Sequence, residues 1–259
     1  MKLGFIGMGN MAKALVGGFV SSGGVLPSDI FAYAPNKEKL RQNADALGFL
    51  PVDSLASLAA KTDMLVMACK PAQIEGVLAE LDGALSGKAL LSVALGFDFD
   101  RYAAVLPPDT RVQFVMPNTP AAVGEGVFLF EEKNSFTAEE LDFVKRLFAA
   151  IGKVIVLSSA QMGIGGAIAG CGPAFVDMMI EAFADAGVRY GLSRKDALLM
   201  TSQMILGSAK LQLETGEHPG ALKDAVCSPG GSTIRGVAAL EQAGFRANCI
   251  SAIDAIMKK

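Results

Sequence analysis

Histidine is almost missing from this chain: His218 is the single one in 259 residues. A metal site built from several histidines of one chain is therefore excluded. Cysteine is scarce too. Cys69, Cys171, Cys227 and Cys249 stand at neither metal-ligand nor CxxC spacing, so they read as small buried residues in a reducing, cytoplasmic setting. No block of basic residues occurs. A formal net charge of −3 and a pI near 5.3 speak against a general nucleic-acid partner. Long apolar leaders are lacking as well, because Met1-Lys2-Leu3-Gly4-Phe5-Ile6 runs straight into a strand and a glycine turn, which is too short for a signal peptide. The uncharged run Gln161–Val176 holds five glycines and a proline. It falls short of the roughly 18–20 residues that span a bilayer and reads as closely packed interior, with no membrane partner.

What the chain has is apolar residues, 51% of the total, enough for a sizeable core. They fall into two patterns. Up to Leu157, short apolar runs alternate with helical spacing. Leu3–Ile6, Ile30–Ala34, Met64–Ala68, Ala89–Ala94, Val112–Met116, Gly126–Phe130 and Lys153–Leu157 read as strands. Asn10–Ser22, Lys37–Leu47 and Ala138–Ala150 read as helices. Nearly continuous Val, Ile, Leu, Met and Phe in the strands predicts a sheet covered on both faces, and the alternation predicts a parallel, doubly wound α/β domain of the Rossmann type. Beyond Ser158 the strand-like runs stop, and Ala, Gly, Met and Leu recur at helical spacing. Ala174–Arg189 predicts one long helix. Ser193 and Asp196 form a capping box for a second, which Gly216 ends. Two more follow near Thr233–Gln242 and Phe245–Met257. The expected organisation is residues 1–158 as a dinucleotide-binding domain and 159–259 as an all-helical one.

Two glycine-rich signatures lie far apart. Gly7-Met8-Gly9-Asn10-Met11-Ala12 links the first strand to the first helix. There Gly7 makes a tight turn, Gly9 admits a pyrophosphate against the backbone, and Ala12 lets helix and strand pack closely. The helix entrance adds free N–H groups and a partial positive charge. At the end of the second strand, where an NAD site usually carries Asp or Glu, stands Tyr33-Ala34-Pro35-Asn36-Lys37. The missing acid and the following Lys37, Lys39 and Arg41 favour NADP over NAD, with Asn36 and Lys37 expected at the 2′-phosphate. Cys69-Lys70-Pro71 and Pro117-Asn118-Thr119-Pro120 leave the carboxyl ends of strands, where such sheets bind ligands. The second of these, stiffened by two prolines, suits the nicotinamide. The other signature is Ser228-Pro229-Gly230-Gly231-Ser232-Thr233, whose exposed N–H groups and hydroxyls at a helix entrance suit a carboxylate-sized anion. His218, in Glu217-His218-Pro219-Gly220, reads as a surface or capping residue.

With Gly170-Cys171-Gly172-Pro173-Ala174-Phe175, His218-Pro219-Gly220 and Gly244-Phe245-Arg246 added, these segments make the chain similar throughout to the pyrroline-5-carboxylate reductases. Cys171 stands where that family often has Ser, and Ser232 where Thr or Ala is common. The resemblance implies reduction of L-Δ1-pyrroline-5-carboxylate to L-proline with NAD(P)H. It implies a helical domain that interlocks with a second subunit, an active site at that dimer interface and, in some members, a decamer of five dimers. It assigns the substrate carboxylate to Ser228 and the backbone at Gly230, Gly231 and Ser232, the ring nitrogen to Thr233, and the ring pocket to Pro173 and Ala174. Lys70 and Asn118 would lie by the nicotinamide, with Thr233 and Lys70 the candidates nearest the chemistry. A hydroxy-acid dehydrogenase of similar architecture would need an acid–base group for a hydroxyl, and the helical half offers no well-placed histidine. A non-catalytic NADP-binding sensor would leave the Ser228–Thr233 signature without a use.

Overall fold

The structure, a computed structural model, describes residues 1–258. The chain separates into two compact units, Met1–Gly170 and the residues from Cys171 onward.

The first unit is built on one eight-stranded sheet. Its strands are β1 (Leu3–Ile6), β2 (Ile30–Tyr33), β3 (Leu50–Pro51), β4 (Met64–Met67), β5 (Ala89–Ser92), β6 (Arg111–Met116), β7 (Gly126–Asn134) and β8 (Gly152–Leu157), in the order β3-β2-β1-β4-β5-β6-β7-β8. Strands β1, β4 and β5 are buried at every residue, which is why they read as unbroken apolar runs. Helices α1 (Asn10–Ser21), α2 (Lys37–Leu47), α3 (Leu55–Lys61), α4 (Ile74–Leu81), α5 (Phe99–Ala103) and α6 (Ala138–Ala149) connect them. Local chemistry sets their starts. Asn36, Ser54, Asp98 and Thr137 each accept a backbone N–H at a helix entrance, satisfying donors the helix leaves free. One core cluster gathers Leu15, Phe19 and Phe148. Phe148 meets Phe19, Phe128 and Phe130 edge-on at 5.1, 4.7 and 5.5 Å. A second, separate cluster holds Leu58, Leu78 and Tyr102.

The sheet departs from the all-parallel expectation at one seam. Strand β7 runs antiparallel to β6, and β8 runs parallel to β7. The reason is length: only residues 117–125 separate β6 from β7, too few for the helical crossover a parallel pair needs. The short edge strand β3 and helices α3–α5 are additions to the sequence reading.

Helix α7 (Ser159–Gly166) closes this unit and passes into a π turn, Ala167–Cys171. Small residues let it lie close on the sheet. A Cβ added to Gly165 would meet Leu157 at 2.6 Å and Leu129 at 2.9 Å, and one added to Gly166 would meet Met116 Sδ at 2.5 Å. The helical path runs on without a break to Arg189.

The second unit contains α8 (Gly172–Arg189), α9 (Arg194–Thr215), α10 (Pro219–Ala225), α11 (Ser232–Gln242) and α12 (Phe245–Met257). α8 and α9 form a hairpin. Gly187 sits where a side chain would crowd Ala197, at 3.1 Å, and its carbonyl accepts from the N–H of Leu192 at 3.0 Å. Gly216 ends α9 in the left-handed conformation, φ 67°. Only half of the expected capping box forms: the Ser193 hydroxyl accepts from the Asp196 N–H at 3.1 Å but donates to the Asp196 carboxylate at 2.7 Å.

Two further expectations are corrected here. Gln161–Val176 is interior only in part: Met162 and Ala167 are buried, whereas Ile168, Phe175 and Val176 are exposed, and the uncharged run already begins at Val154. By length and composition alone, the helical run Ser159–Arg189 contains an 18-residue stretch apolar enough to cross a membrane, with mean hydropathy 1.4, a test that the core helix of a soluble protein also passes. The cysteines are not buried either. Cys171 and Cys249 are exposed, Cys69 and Cys227 half-buried, and all four are free thiols.

Candidate functional site

The turn after β1 is fixed by its own backbone. Gly7 has φ +96°, and a Cβ there would stand 2.9 Å from the Ala68 carbonyl oxygen. Its N–H donates to Tyr33 O at 2.8 Å. Only glycine fits such a position. Gly9 is different. Its backbone is ordinary, φ −80° and ψ −171°, and an added Cβ would meet nothing within 4 Å. Nothing inside the chain requires a glycine there, and the bare backbone is open to a group that approaches from outside. Gly9 caps α1 without a side-chain bond, and the first turn of α1 holds no acid, leaving free donors and the positive end of the helix dipole at the turn.

A cleft of about 330 Å³ opens at this point. Gly7, Met8 and Gly9 form one wall, Ala34 and Asn36 a second, and Cys69 and Lys70 a third. These seven expected cofactor residues are brought together. Lys39, one of the three cations that favoured NADP, lines it too, as do Gln73 and Val77, which sequence reasoning did not single out. Gln73 had a local signal. It stands three residues after Lys70, at the far end of a one-turn 3-10 helix, and its side chain accepts the Lys70 N–H at 3.2 Å. No carboxylate lines the cleft, and Lys39 and Lys70 give it two cations. The arrangement fits a dinucleotide carrying an extra phosphate on its ribose. Burial pushes the Cys69 thiol up from its ordinary value, partly offset by a backbone hydrogen bond.

Other expected cofactor residues lie elsewhere. Lys37 does not reach the cleft. Its ammonium donates to Asp53 O at 2.9 Å and Val52 O at 3.4 Å and sits 4.1 Å over the Tyr33 ring, a stabilising cation–π position. Asn36 lines the cleft, but its Oδ1 already accepts the Lys39 N–H at 2.9 Å. Asn10 borders a shallow depression with Lys13 and Asn43 instead. Met11 packs against the core. Pro71 opens the 3-10 helix after Lys70, and Thr119 begins another at Thr119–Val123. Asn118 is buried, with both ends of its carboxamide bonded inside the protein: Oδ1 accepts from the Val127 N–H at 2.8 Å and Nδ2 donates to Ala169 O at 3.0 Å.

In the second unit, the loop before α11 is shaped for an anion. Gly230 has φ +69°. The Gly231 N–H turns back to Ser228 O at 3.0 Å, and a side chain on Gly231 would strike Ser228 Oγ at 2.4 Å. Gly231 caps α11 without a side-chain bond, and the first turn again holds no acid. Ser228, Ser232 and Thr233 are exposed. The free N–H groups of this entrance and the hydroxyls beside them can serve one small carboxylate. Pro173 and Ala174 lie in the first turn of α8, half-buried and exposed respectively. His218 caps α10, its Nδ1 accepting the Gly220 N–H at 3.1 Å.

Comparison with known proteins follows this division. Residues 159–259 match the family model for pyrroline-5-carboxylate reductase dimerisation. Residues 2–96 match the model described as NADP oxidoreductase, coenzyme F420-dependent. The pyrroline-5-carboxylate reductase of Escherichia coli is 41% identical over 259 residues, covering 100% of this chain and 96% of that protein. The enzyme of that name from Arabidopsis thaliana is 37% identical over 259 residues, covering 100% and 94%. Among solved structures, a Plasmodium falciparum pyrroline carboxylate reductase with NADP bound superposes with a TM-score of 0.89 at 32% identity, covering 99% of this chain and 95% of that one. Similarity of this extent in both units makes the chain a member of the pyrroline-5-carboxylate reductase family.

Proposed function

We propose that this protein reduces L-Δ1-pyrroline-5-carboxylate to L-proline with NADPH, the last step of proline biosynthesis. Residues 1–158 would serve as the dinucleotide-binding domain and 159–259 as the substrate-binding and dimerisation domain. The observation that carries the reading is the Ser228–Thr233 helix entrance, an anion cradle with free donors and no acid in its first turn. It occurs in a chain whose other unit holds a carboxylate-free dinucleotide cleft.

When bound, the dinucleotide supplies the hydride for the carbon of the cyclic C=N bond. The chain's own part is to bind and orient. Gly7, Met8 and Gly9 would hold the pyrophosphate at the α1 entrance, Lys39 would supply a cation for the extra phosphate, and Lys70 a second cation at the third wall. The N–H groups of Gly230 and Ser232 would hold the substrate carboxylate, with Ser228 beside them, while the Gly231 N–H, bonded to Ser228 O, shapes the turn. The Thr233 hydroxyl is placed to hydrogen-bond the ring nitrogen. A cyclic imine is basic enough to be protonated near neutrality, and the iminium accepts hydride directly. No oxyanion forms, so no histidine is required, in keeping with a chain whose only one caps a helix.

The exposed apolar surface of α8 and α9 supports a homo-oligomer of at least two copies, the second copy covering that surface, and the cytoplasm is its expected place. The test is oxidation of NADPH in the presence of DL-pyrroline-5-carboxylate, followed by loss of near-ultraviolet absorbance, with proline identified as the product. Saturable turnover is expected. Turnover of a hydroxy acid with none of the imine would reverse the assignment.

A further inference from the structure

In an α-helix each carbonyl is satisfied by the N–H four residues on. For Ala169 that residue is Pro173, which has no N–H to give. The helix widens at this place into the π turn Ala167–Cys171, a form found mostly as single turns at functional sites. Without that donor the carbonyl is open to a side-chain partner. The donor present is Asn118: its Nδ2 reaches Ala169 O at 3.0 Å while its Oδ1 holds the Val127 N–H at 2.8 Å. The carboxamide is 6% exposed. Ala169 itself packs beside Phe114, Leu129 and Met162, and Gly166 lies directly on Met116. The π turn is thus held by packing on side chains of β6 and β7 and by a hydrogen bond from the loop between them.

We propose that Asn118 is a positioning residue: its side-chain amide supplies the hydrogen bond that Pro173 cannot, and so fixes the turn leading into Pro173 and Ala174. Two prolines, Pro117 and Pro120, stiffen the loop that carries it, and its own backbone is extended, φ −127°. Because both ends of the carboxamide are committed within the protein, Asn118 acts on the imine side of the reaction and not by touching the dinucleotide. This rests on the reading that Pro173 and Ala174 face the substrate ring.

The test is a double-mutant cycle with kinetics and melting curves. Asn118→Asp keeps an acceptor for Val127 but turns an oxygen toward Ala169 O. It should raise KM for pyrroline-5-carboxylate about tenfold and leave the Kd of NADPH, measured by fluorescence titration, unchanged. It should also lower Tm by about 5 °C. Pro173→Ala restores an N–H at position 173, so in that background the loss of Tm from Asn118→Asp should fall by half or more. Equal losses in both backgrounds would overturn the proposal, as would a raised Kd for NADPH with KM for the imine unmoved. If Asn118→Asp alone is insoluble, soluble protein in the Pro173→Ala background is the expected result, and insolubility in both overturns it. A wild-type protein that does not reduce the imine would refute the functional reading alone, since the coupling in Tm would still be measurable.

Discussion

Gly7 and Gly9 stand two residues apart in the same turn, yet replacing them with alanine should have opposite consequences. At Gly7 a methyl group meets both a left-handed backbone, φ +96°, and a carbonyl oxygen at 2.9 Å. The conformational penalty alone is about 1–2 kcal/mol; with the clash, Gly7→Ala should cost about 2–3 kcal/mol, or a fall in Tm of about 4–12 °C for a unit of this size. At Gly9 the added methyl meets nothing within 4 Å and the backbone is one any residue adopts. Two small effects then oppose each other. Lost chain entropy in the unfolded state favours alanine by about 0.4–1 kcal/mol, while alanine is the poorer N-cap by a similar amount. Tm should therefore stay nearly constant. Binding should not. A methyl placed where the pyrophosphate approaches the α1 entrance overfills that contact by about 2–3 kcal/mol, which weakens NADPH about 30–150-fold. The assay is a melting curve and a fluorescence titration with NADPH on each variant. A Gly9→Ala protein that binds NADPH normally, or that melts as early as Gly7→Ala, would refute the argument that Gly9 answers to a ligand and Gly7 to the fold.

Lys39→Ala should weaken NADPH about fivefold with little change for NADH, because an exposed ammonium facing a phosphate contributes about 1 kcal/mol, and the difference should shrink at high salt. Lys37→Ala should instead affect both cofactors alike and lower Tm, since its ammonium is spent on Val52, Asp53 and Tyr33; selective loss of NADPH at Lys37 would reverse this division. Burial pushes the Glu140 carboxyl up, but the hydrogen bonds from Arg111 and from the Thr137 N–H outweigh burial and leave it below its ordinary value. The stability it adds is therefore fully present above the ordinary carboxylate range and is lost as pH falls through the lowered value. Glu140→Gln should cost about 2 kcal/mol at neutral pH, and the gap in Tm from wild type should close on acidification; a gap that widens would show the sign to be wrong. Leu206→Glu, at a position 52% exposed in the single chain, should change stability by no more than about 0.5 kcal/mol if that surface faces water. If a second copy covers it, light scattering should show the dimer mass lost, and an unchanged dimer would take this face of α9 out of the interface.

The parts of the fold that could be read from the sequence are those fixed by neighbours in the chain. The bounds of β1, α2 and α12 follow from apolar runs and their caps. The turn at Gly7 follows from a strand that must reverse into a helix. The loop at Gly230 and Gly231 follows from glycines just ahead of a helical pattern. What was missed depends on distant residues. Lys37 and Lys39 are two residues apart on one helix, and the carbonyls that engage Lys37 belong to Val52 and Asp53, after β3. The two prolines beside Asn118 announced a stiff loop, but its partners, Val127 and Ala169, lie 9 and 51 residues away. The antiparallel seam was an exception, because its signal was local. Nine residues between β6 and β7 cannot hold a crossover, and counting them would have given the direction of β7.

The second unit shows why composition misjudged burial. Small and apolar residues announce close packing without saying whose atoms do the packing. In α9 the buried residues are Ala197 and Thr201, one turn apart on the same side. Leu199, Leu206 and Leu213 recur every seven residues on the opposite side and are 65%, 52% and 69% exposed. A helix with apolar residues on both sides belongs inside a structure and not on its surface. Yet α10, α11 and α12 bury no residue of their own, so nothing in the single chain encloses that row. The same reasoning covers the later part of Gln161–Val176, where the sequence marks interior and the single chain leaves Ile168, Phe175 and Val176 exposed. A second copy reconciles the two, because a surface that two chains share has the composition of a core and the exposure of a surface until they meet. In the proposed dimer the leucine row, the glycine-rich run and the match to a dimerisation family would have one physical cause, a core completed between chains.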